Sequence, residues 1–288
     1  MPGYAEKNIL VSALRLDKLH PVVSGNKYFK LKYHLQYALD NNYEGILTFG
    51  GAWSNHIIAA AYAASLHSLK SIGIIRGTKP PALSKTLLQA QEYGMQLEFV
   101  SKKAYKDIQS NTHAANISDQ FPLYYIIPEG GGGSVGIKGA HEILELVNKN
   151  DYSHIACVIG TGATYCGIVN ASAPGQAIIG IPVLKGLTDL LEQLSEFFIP
   201  PEKKVNCRFF YDYHFGGYAK HSSTLIDFMK DFYHYTSIPT DFVYTGKLFF
   251  AINDLVEKKI FPPGSHVLVI HSGGLQGNDS LREGTLNF

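Results

Sequence analysis

The sequence has 288 residues, of which 45% are hydrophobic and 17% are charged, and its formal net charge is +1. This composition is typical of a globular protein, and the length suits one large domain or two medium ones. The balanced charge gives no electrostatic reason to expect nucleic acid or an anionic membrane as a partner, and no apolar run approaches the roughly 20 residues of a membrane helix.

Short apolar runs alternate with helical patterns along the first half of the chain. Strands are predicted at residues 9–16, 45–49, 71–76, 96–100 and 123–127. Helices are predicted at residues 29–39, 54–67, 83–93, 102–118 and 137–148. Ser54 is a good N-cap for the second of these helices.

The second half repeats the same rhythm. Its predicted strands cover residues 154–159, 177–183, 206–211 and 266–270, and its clearest helices cover residues 222–235 and 248–259. This alternation predicts an α/β protein whose sheets are mostly parallel and buried on both faces. Because the strands are too many for one comfortable open sheet, we expect two sheets and two domains.

The spacing of cysteine and histidine argues against a metal or a disulfide framework. Cys157, Cys166 and Cys207 are widely separated, and the 12 histidines include no His-Glu-x-x-His pair. The N-terminal residues lack the basic-then-apolar form of a signal peptide. We therefore expect a reduced, cytoplasmic protein without a bound metal.

The turn after the second predicted strand has the features of a carboxylate site. Its sequence is Gly50-Gly51-Ala52-Trp53-Ser54-Asn55-His56. Two glycines allow close approach of a ligand, and the start of the following helix presents free N–H groups that favour an anion. A capped helix with a polar first turn explains the same residues without a ligand.

Two further glycine-rich turns suggest cofactor binding. Gly131, Gly133 and Gly136 match the dinucleotide spacing, but the acid expected at the end of the next strand is missing, since Asp151 precedes that strand. The turn Gly160-Thr161-Gly162-Ala163-Thr164 forms a phosphate cradle of backbone N–H groups and hydroxyls. It has no lysine of the kind that nucleoside triphosphates require, so we expect a cofactor monoester held without lysine or metal.

Two more segments, around Lys27 and Ser272, suggest a function only when they are considered together with these turns. Lys27 follows the turn Ser24-Gly25-Asn26 at the start of a helix, where a surface lysine is the ordinary interpretation. Ser272, in His271-Ser272-Gly273-Gly274, follows the last strand and could donate to a buried heteroatom.

Together these segments resemble the pyridoxal-phosphate enzymes of the tryptophan-synthase β-chain fold, specifically the group of 1-aminocyclopropane-1-carboxylate deaminase and D-cysteine desulfhydrase. They occur in family order from Gly25 to Gly274. The matching segments are Gly25-Asn26-Lys27 with Lys30-Leu31, Gly50-Gly51-Ala52-x-Ser54-Asn55-His56, Gly160-Thr161-Gly162-Ala163-Thr164, Val243-Tyr244-Thr245-Gly246-Lys247 and Ile270-His271-Ser272-Gly273-Gly274.

The resemblance implies a fold type II architecture, with two domains of three αβα layers and mostly parallel sheets. We expect residues 1–38 and 130–288 to form a large cofactor-binding domain and residues 39–129 to form a small domain. It also implies a homodimer that acts on a small amino acid.

The resemblance further implies roles for individual residues. Lys27 would form the Schiff base with pyridoxal 5'-phosphate and move the substrate's α-proton. Ser272 would face the pyridine nitrogen, and Tyr244 and Tyr218 would be active-site tyrosines that act as acid or base only with a lowered pKa. The cofactor phosphate would be held by Gly160, Thr161, Gly162, Ala163 and Thr164. The ring hydroxyl would contact Asn55, and the substrate carboxylate would be received by Ser54, Asn55 and His56.

The implied reaction releases ammonia and a 2-keto acid, either by α,β-elimination from a substrate such as D-cysteine or by opening of the aminocyclopropane ring. Ser272 and Thr245 favour the desulfhydrase side, because the deaminase proper is expected to carry a glutamate after its tyrosine.

Trp53 replaces a common glutamine in the substrate site, and the chain is shorter than typical members. Two alternatives therefore stay open: a nicotinamide-dependent oxidoreductase that uses the Gly131, Gly133 and Gly136 loop, and a cofactor-binding homologue with little turnover.

Overall fold

The computed structural model describes residue 4, residues 7–109 and residues 114–288, without the side chains of residues 114–116, 204 and 205. Its strands are β1 (Leu10–Arg15), β2 (Gly45–Gly50), β3 (Lys70–Arg76), β4 (Met95–Val100), β5 (Tyr124–Ile127), β6 (His154–Ile159), β7 (Ala177–Pro182), β8 (Cys207–Phe209) and β9 (His266–His271). Its α-helices are α1 (Asn26–Asp40), α2 (Asn55–Leu66), α3 (Lys85–Glu92), α4 (Lys102–Gln109), α5 (Ala114–Gln120), α6 (Gly133–His141), α7 (Ala163–Ala171), α8 (Leu190–Ser195), α9 (Ser223–Thr236) and α10 (Thr245–Glu257).

The strands form two sheets. One has the order β1-β9-β6-β7-β8, the other has the order β4-β3-β2-β5, and the neighbouring strands in both are parallel. Strands β2 to β5 fall within residues 39–129 and the other strands fall outside it. The predicted two-sheet α/β class is confirmed, while the exact domain boundaries stay a prediction.

Both faces of the large sheet are covered by helices. Along β6, Ile155, Cys157 and Ile159 join one buried cluster with α7, while Ala156 and Val158 join a second cluster with α10. The alternation follows from the two-residue period of a strand. The small sheet is built in the same way, because neighbouring residues of β2, Ile46 and Leu47, belong to two different clusters. This is the three-layer αβα arrangement that the apolar runs predicted.

The observed boundaries differ from the predicted ones where glycine or polar residues blur the pattern. Helix α1 begins at Asn26 rather than at residue 29, because Gly25 adopts a positive φ of 68° as its N-cap. The helix predicted at 102–118 is two helices, α4 and α5, and residues 110–113 between them lie outside the described part. Helix α6 starts at Gly133, inside the glycine run, and continues as a 3-10 turn after His141.

Candidate active site

A cleft of about 480 Å³ lies where the carboxyl ends of the two sheets face each other. Residues that end six different strands, or follow them within two positions, line it, which is where open α/β sheets bind ligands. Those residues are Gly51, Arg76, Glu129, Gly160, Leu184 and Ser272. The volume is within the range of about 300–1,000 Å³ for small-molecule sites.

Lys27 lies in the first turn of α1 and points into this cleft together with Thr161 and Ser272. Its side chain is half-buried, and its Nζ donates to Asn26 Oδ1 at 3.0 Å. Burial lowers the pKa of Lys27 to about 8, and the negative charge of Asp241 opposes that shift. A sizeable fraction of the amine is therefore neutral near physiological pH, as a nucleophile or a base requires.

The phosphate cradle predicted at residues 160–164 forms the turn between β6 and α7. Gly162 is the N-cap of α7 with a φ of 84°, and a side chain there would collide with Leu194 at 2.6 Å. The first N–H groups of α7 have no acceptor within the helix and favour an anion. Both Thr161 and Thr164 line the cleft beside them.

Lys30 reaches the same turn, where the sequence predicted a phosphate held without lysine. Its side chain is only 2% exposed, and its Nζ lies 3.5 Å from the Thr161 hydroxyl. Burial and the nearby charge of Lys27 lower the pKa of Lys30 well below its ordinary value. This long contact is the single hydrogen bond that the described residues offer the buried amine, so a bound phosphate would both pair it and restore its charge. The spacing of three residues between Lys27 and Lys30, one helical turn, was the available signal.

The predicted carboxylate nest forms at the start of α2. Ser54 is its N-cap and accepts a hydrogen bond from Ile57 N at 3.3 Å, which leaves the hydroxyl proton of Ser54 free to donate. The N–H groups of Asn55 and His56 occupy the first turn, where no intrahelical acceptor exists. Trp53 and Ser54 both line the cleft. The nest can therefore donate several hydrogen bonds to one carboxylate.

The ring of His56 lies beneath this nest. Its Nε2 is 2.7 Å from the Thr48 hydroxyl, which itself donates to the Ile127 carbonyl at 2.8 Å. Because a hydroxyl has one proton, this network assigns the His56 proton to Nε2. Burial and the charges of Lys27 and Lys30 keep the pKa of His56 well below its ordinary value. The neutral ring donates to Thr48 rather than to a ligand. The predicted contact between His56 and the substrate carboxylate therefore stays a prediction for the backbone N–H of His56 alone.

Asn55 fits the ring hydroxyl of pyridoxal phosphate. Its Nδ2 donates to the Gly274 carbonyl at 2.9 Å, while its Oδ1 is buried without a partner among the described residues. A side chain on Gly274 would lie 2.1 Å from that Nδ2, so glycine is required there. The orphaned oxygen needs a donor, and a phenolic hydroxyl supplies one.

Tyr244 and Tyr218 meet on the opposite wall of the cleft. Their hydroxyls are 3.5 Å apart and their rings pack edge to face at 6.0 Å. Burial and the neighbouring Tyr218 raise the pKa of Tyr244 well above its ordinary value. The lowered pKa required of a tyrosine base is not found, so Tyr244 stays protonated near neutral pH and its hydroxyl can donate a hydrogen bond.

Asp241 is a buried charge that sequence reasoning missed. Its carboxylate is fully buried and accepts from the N–H groups of Val243, Tyr244 and Thr245 and from the Thr245 hydroxyl. Burial raises the pKa of Asp241, although these donors oppose the change. Thr245 therefore caps α10 together with Asp241 and does not line the cleft. A lone aspartate before a helix gave no sign of this in the sequence.

The fold and the cleft define a class: a two-sheet α/β enzyme with an amine, a phosphate cradle and a carboxylate nest in one cavity. The family model described as "Pyridoxal-phosphate dependent enzyme" matches residues 8–273. The chain belongs to this family, and its cofactor is pyridoxal phosphate.

Named relatives agree with that assignment. The chain is 30% identical over 281 residues to the bifunctional D-cysteine desulfhydrase/1-aminocyclopropane-1-carboxylate deaminase of Arabidopsis thaliana, covering 88% of this chain and 70% of the relative. It is 24% identical to a D-cysteine desulfhydrase of Salmonella typhi, covering 91% and 86%. The solved structure of an ACC deaminase homologue matches with a TM-score of 0.79 at 25% identity, covering 96% of this chain and 87% of that chain. The fold type II class is thereby confirmed.

The Gly131, Gly133 and Gly136 spacing serves packing rather than a dinucleotide. A side chain on Gly136 would lie 1.9 Å from the Gly131 carbonyl oxygen, and one on Gly139 would lie 2.0 Å from the carbonyl oxygen of Phe29. The glycines thus allow α6 to approach α1 closely. The nicotinamide alternative finds no support in this geometry or in the family match. Across the described part of the chain, no helix is long and apolar enough to cross a membrane.

Proposed function

We propose that this enzyme is a lyase or deaminase that converts a small amino acid into ammonia and a 2-keto acid. The observation that carries the proposal is that Lys27, the cradle with Lys30, and the nest at Ser54 all line one cleft. That cleft accommodates an amino acid whose carboxylate is fixed while its α-carbon is exposed to a basic amine. The relatives named for D-cysteine and for aminocyclopropane carboxylate make these two substrates the first to test.

In this proposal the binding residues orient the reactants. The cradle from Gly160 to Thr164 and the Lys30 ammonium hold the cofactor phosphate, and Asn55 accepts from the ring hydroxyl. The Ser54 hydroxyl and the N–H groups of Asn55 and His56 hold the substrate carboxylate. Ser272, only 7% exposed, places a neutral hydroxyl rather than a carboxylate at the cleft wall assigned to the pyridine nitrogen.

The remaining residues move protons. Pyridoxal phosphate, when bound, delocalises the negative charge that develops at the substrate's α-carbon. With D-cysteine, Lys27 Nζ takes the α-proton, and its pKa of about 8 suits this task. The α-carbon of aminocyclopropane carboxylate carries no proton, so with that substrate Lys27 moves a proton at a ring methylene instead. Tyr244, protonated and paired with Tyr218, donates to the departing sulfur or to the opening ring. With water, D-cysteine gives pyruvate, sulfide and ammonia, and aminocyclopropane carboxylate gives 2-ketobutyrate and ammonia.

A substrate panel tests the proposal. Purified enzyme should be yellow, and borohydride should add the cofactor mass to the peptide that contains Lys27. Sulfide from D-cysteine, sulfide from L-cysteine and 2-ketobutyrate from aminocyclopropane carboxylate are then measured side by side. Ser272, which lines the cleft, favours sulfide from D-cysteine as the strongest signal. A yellow protein that turns over none of these substrates would favour the alternative of a cofactor-binding homologue with little turnover. That alternative is raised by Trp53, which replaces a common glutamine in the substrate site.

Lys27→Ala, with Lys32→Ala as its control, tests whether turnover depends on the Lys27 amine. Lys32 is on the same helix but is exposed and paired with Glu142. Turnover should fall by about 10³-fold or more in the first variant and should not change in the second. Equal activity in both would remove Lys27 from the reaction. The expected homodimer is checked separately by analytical ultracentrifugation.

A further inference from the structure

Lys247 is a buried amine for which neither the cofactor nor the substrate has a use. It lies on α10, one turn after Tyr244, and its side chain is fully buried. Its Nζ donates to the carbonyl oxygens of His214 and Gly217, each at 2.8 Å. A buried lysine costs free energy unless its ammonium is well satisfied, so this arrangement calls for a reason.

The two carbonyls belong to a turn in an unfavourable backbone conformation. Between His214 and Lys220 the φ angles of Phe215, Gly216, Gly217 and Ala219 are all positive, at 51°, 92°, 120° and 52°. Phe215 and Ala219 have side chains, and such residues rarely adopt this region. A turn of this kind persists only where the surrounding structure holds it, and the contacts of Lys247 are of that type. Tyr218 and Ala219 are the residues of the turn that line the cleft, and Tyr218 brings a hydroxyl to it.

The same helix start organises both tyrosines. Asp241 caps α10 through the N–H groups of Tyr244 and Thr245, which sets the position of Tyr244. Lys247 then reaches from the next helical turn to two carbonyls that precede Tyr218, those of His214 and Gly217. Burial lowers the pKa of Lys247 to about 8, and the Asp241 carboxylate opposes that shift. Asp241 thus holds the helix start that carries Tyr244, and Lys247 holds the turn that carries Tyr218.

We propose that Lys247 is a positioning residue for Tyr218: its Nζ ties the turn at residues 214–219 to helix α10 and thereby keeps the Tyr218 hydroxyl beside that of Tyr244. The inference rests on the proposed function only where it makes Tyr244 the proton donor and pairs Tyr218 with it. The 3.5 Å separation of their hydroxyls depends on the turn, because Tyr218 itself is 41% exposed and has little packing of its own.

Hydrogen exchange read by mass spectrometry tests the anchoring directly. In Lys247→Met, which keeps the volume but removes every donor, the amides of residues 214–220 should exchange at least about tenfold faster, since the turn opens more often. Peptides from β6, β9 and α9 should keep their wild-type rates. Lys230→Met, an exposed lysine on α9, is the matched control and should change nothing. Unchanged exchange of the turn in Lys247→Met would overturn the proposal.

Kinetics with a double variant tests the link to Tyr218. Lys247→Met should lower kcat by about 10–100-fold with little change in KM, because the misplaced group acts on the reacting atoms and not on binding. Tyr218→Phe should cause a similar loss, and the double variant should be no slower than Tyr218→Phe within about twofold. Fully additive losses would mean that Lys247 acts elsewhere. A normal kcat in Tyr218→Phe would instead refute the pairing of Tyr218 with Tyr244 in proton donation, and the exchange data would still decide whether Lys247 holds the turn.

If Lys247→Met fails to fold, Gly217→Ala disturbs the same turn without changing Lys247. Residue 217 has a φ of 120°, which alanine rarely adopts, and the new methyl group would lie 3.3 Å from the Lys185 side chain. Faster exchange of residues 214–220 together with a lower kcat is the expected result. Gly264→Ala, with a φ of 85° and no neighbour closer than 4.0 Å, is the control for strain alone. A freed turn with an unchanged kcat would contradict the proposal.

Discussion

Asn26, the residue before Lys27, donates a hydrogen bond of 2.8 Å to the hydroxyl of Thr164. This contact joins the start of α1 to the start of α7. It therefore fixes the distance between the amine expected to hold the cofactor and the cradle expected to hold its phosphate. Two stretches separated by 138 residues become one site through this pair.

Asn26→Ala should weaken cofactor binding by about fivefold, because a hydrogen bond of this kind contributes about 1 kcal/mol. Titration of apo-enzyme with pyridoxal phosphate, followed by absorbance, measures the change. Thr164→Val should have a similar effect. The loss in the double variant should be smaller than the sum of the two single losses, since both changes remove the same contact. Additive losses would show that Asn26 acts through something other than Thr164.

Lys30→Met should weaken binding of pyridoxal phosphate by about 10–100-fold, the equivalent of a charge-assisted hydrogen bond of about 1.5–3 kcal/mol. Affinity for pyridoxal, which has no phosphate, should not change, and this ligand pair is the internal control. Isothermal titration of the apo-enzyme gives both constants. An equal loss for the two ligands would place Lys30 outside the phosphate site.

The fold was predictable because its signals are local. Apolar runs such as residues 154–159 are buried on both faces and show their period within a few residues, so the strand was found with its exact boundaries. The resemblance then brought Lys27, the cradle and the nest to one place. These matches are carried by short motifs with glycine at fixed positions.

What sequence reasoning missed depends on contacts between distant residues. Lys30 was given no role beyond its place in the Lys27 motif, because its spacing puts it on the face of Lys27 but does not show that its Nζ meets Thr161. The His56 ring looked like a ligand for carboxylate, but Thr48 and Ile127 determine where it points. Lys247 and Asp241 were invisible for the same reason: the burial of a charged side chain is a property of the packed molecule.

Gly25→Ala should destabilise the protein strongly. A β-carbon there would lie 1.7 Å from the carbonyl oxygen of Ser272, and φ is 68°. That clash is with backbone, so the turn before Lys27 must move away from Ser272. Denaturant unfolding should show a loss of several kcal/mol, against about 1–3 kcal/mol for the conformation alone.

Gly175→Ala is the matched control, with a φ of 82° and nothing within 4 Å. It should lose only the conformational share and keep its cofactor affinity. Equal destabilisation of the two variants would show that the contact with Ser272 does not constrain residue 25.

His34 should make stability depend on acidic pH. Its ring is 1% exposed and lies between the Tyr125 hydroxyl, 3.0 Å from Nδ1, and the Gly132 carbonyl, 3.1 Å from Nε2. The carbonyl can only accept, so Nε2 carries the proton and Nδ1 accepts from Tyr125. Burial lowers the pKa of His34 from 6.5 to about 4, with Lys30 adding to the effect.

Between pH 6.5 and 4 the unfolded chain therefore binds this proton and the folded one does not, so stability is lost as the pH falls through that window. The share of His34 in the free energy of unfolding is on the order of 3 kcal/mol. His34→Gln should flatten the fall in unfolding free energy between pH 6.5 and 4, measured by urea denaturation. Tyr125→Phe removes the bond to Nδ1 but leaves the ring in place, so it should keep the steep dependence. An identical pH profile for wild type and His34→Gln would mean that the ring is not held neutral beside Gly132.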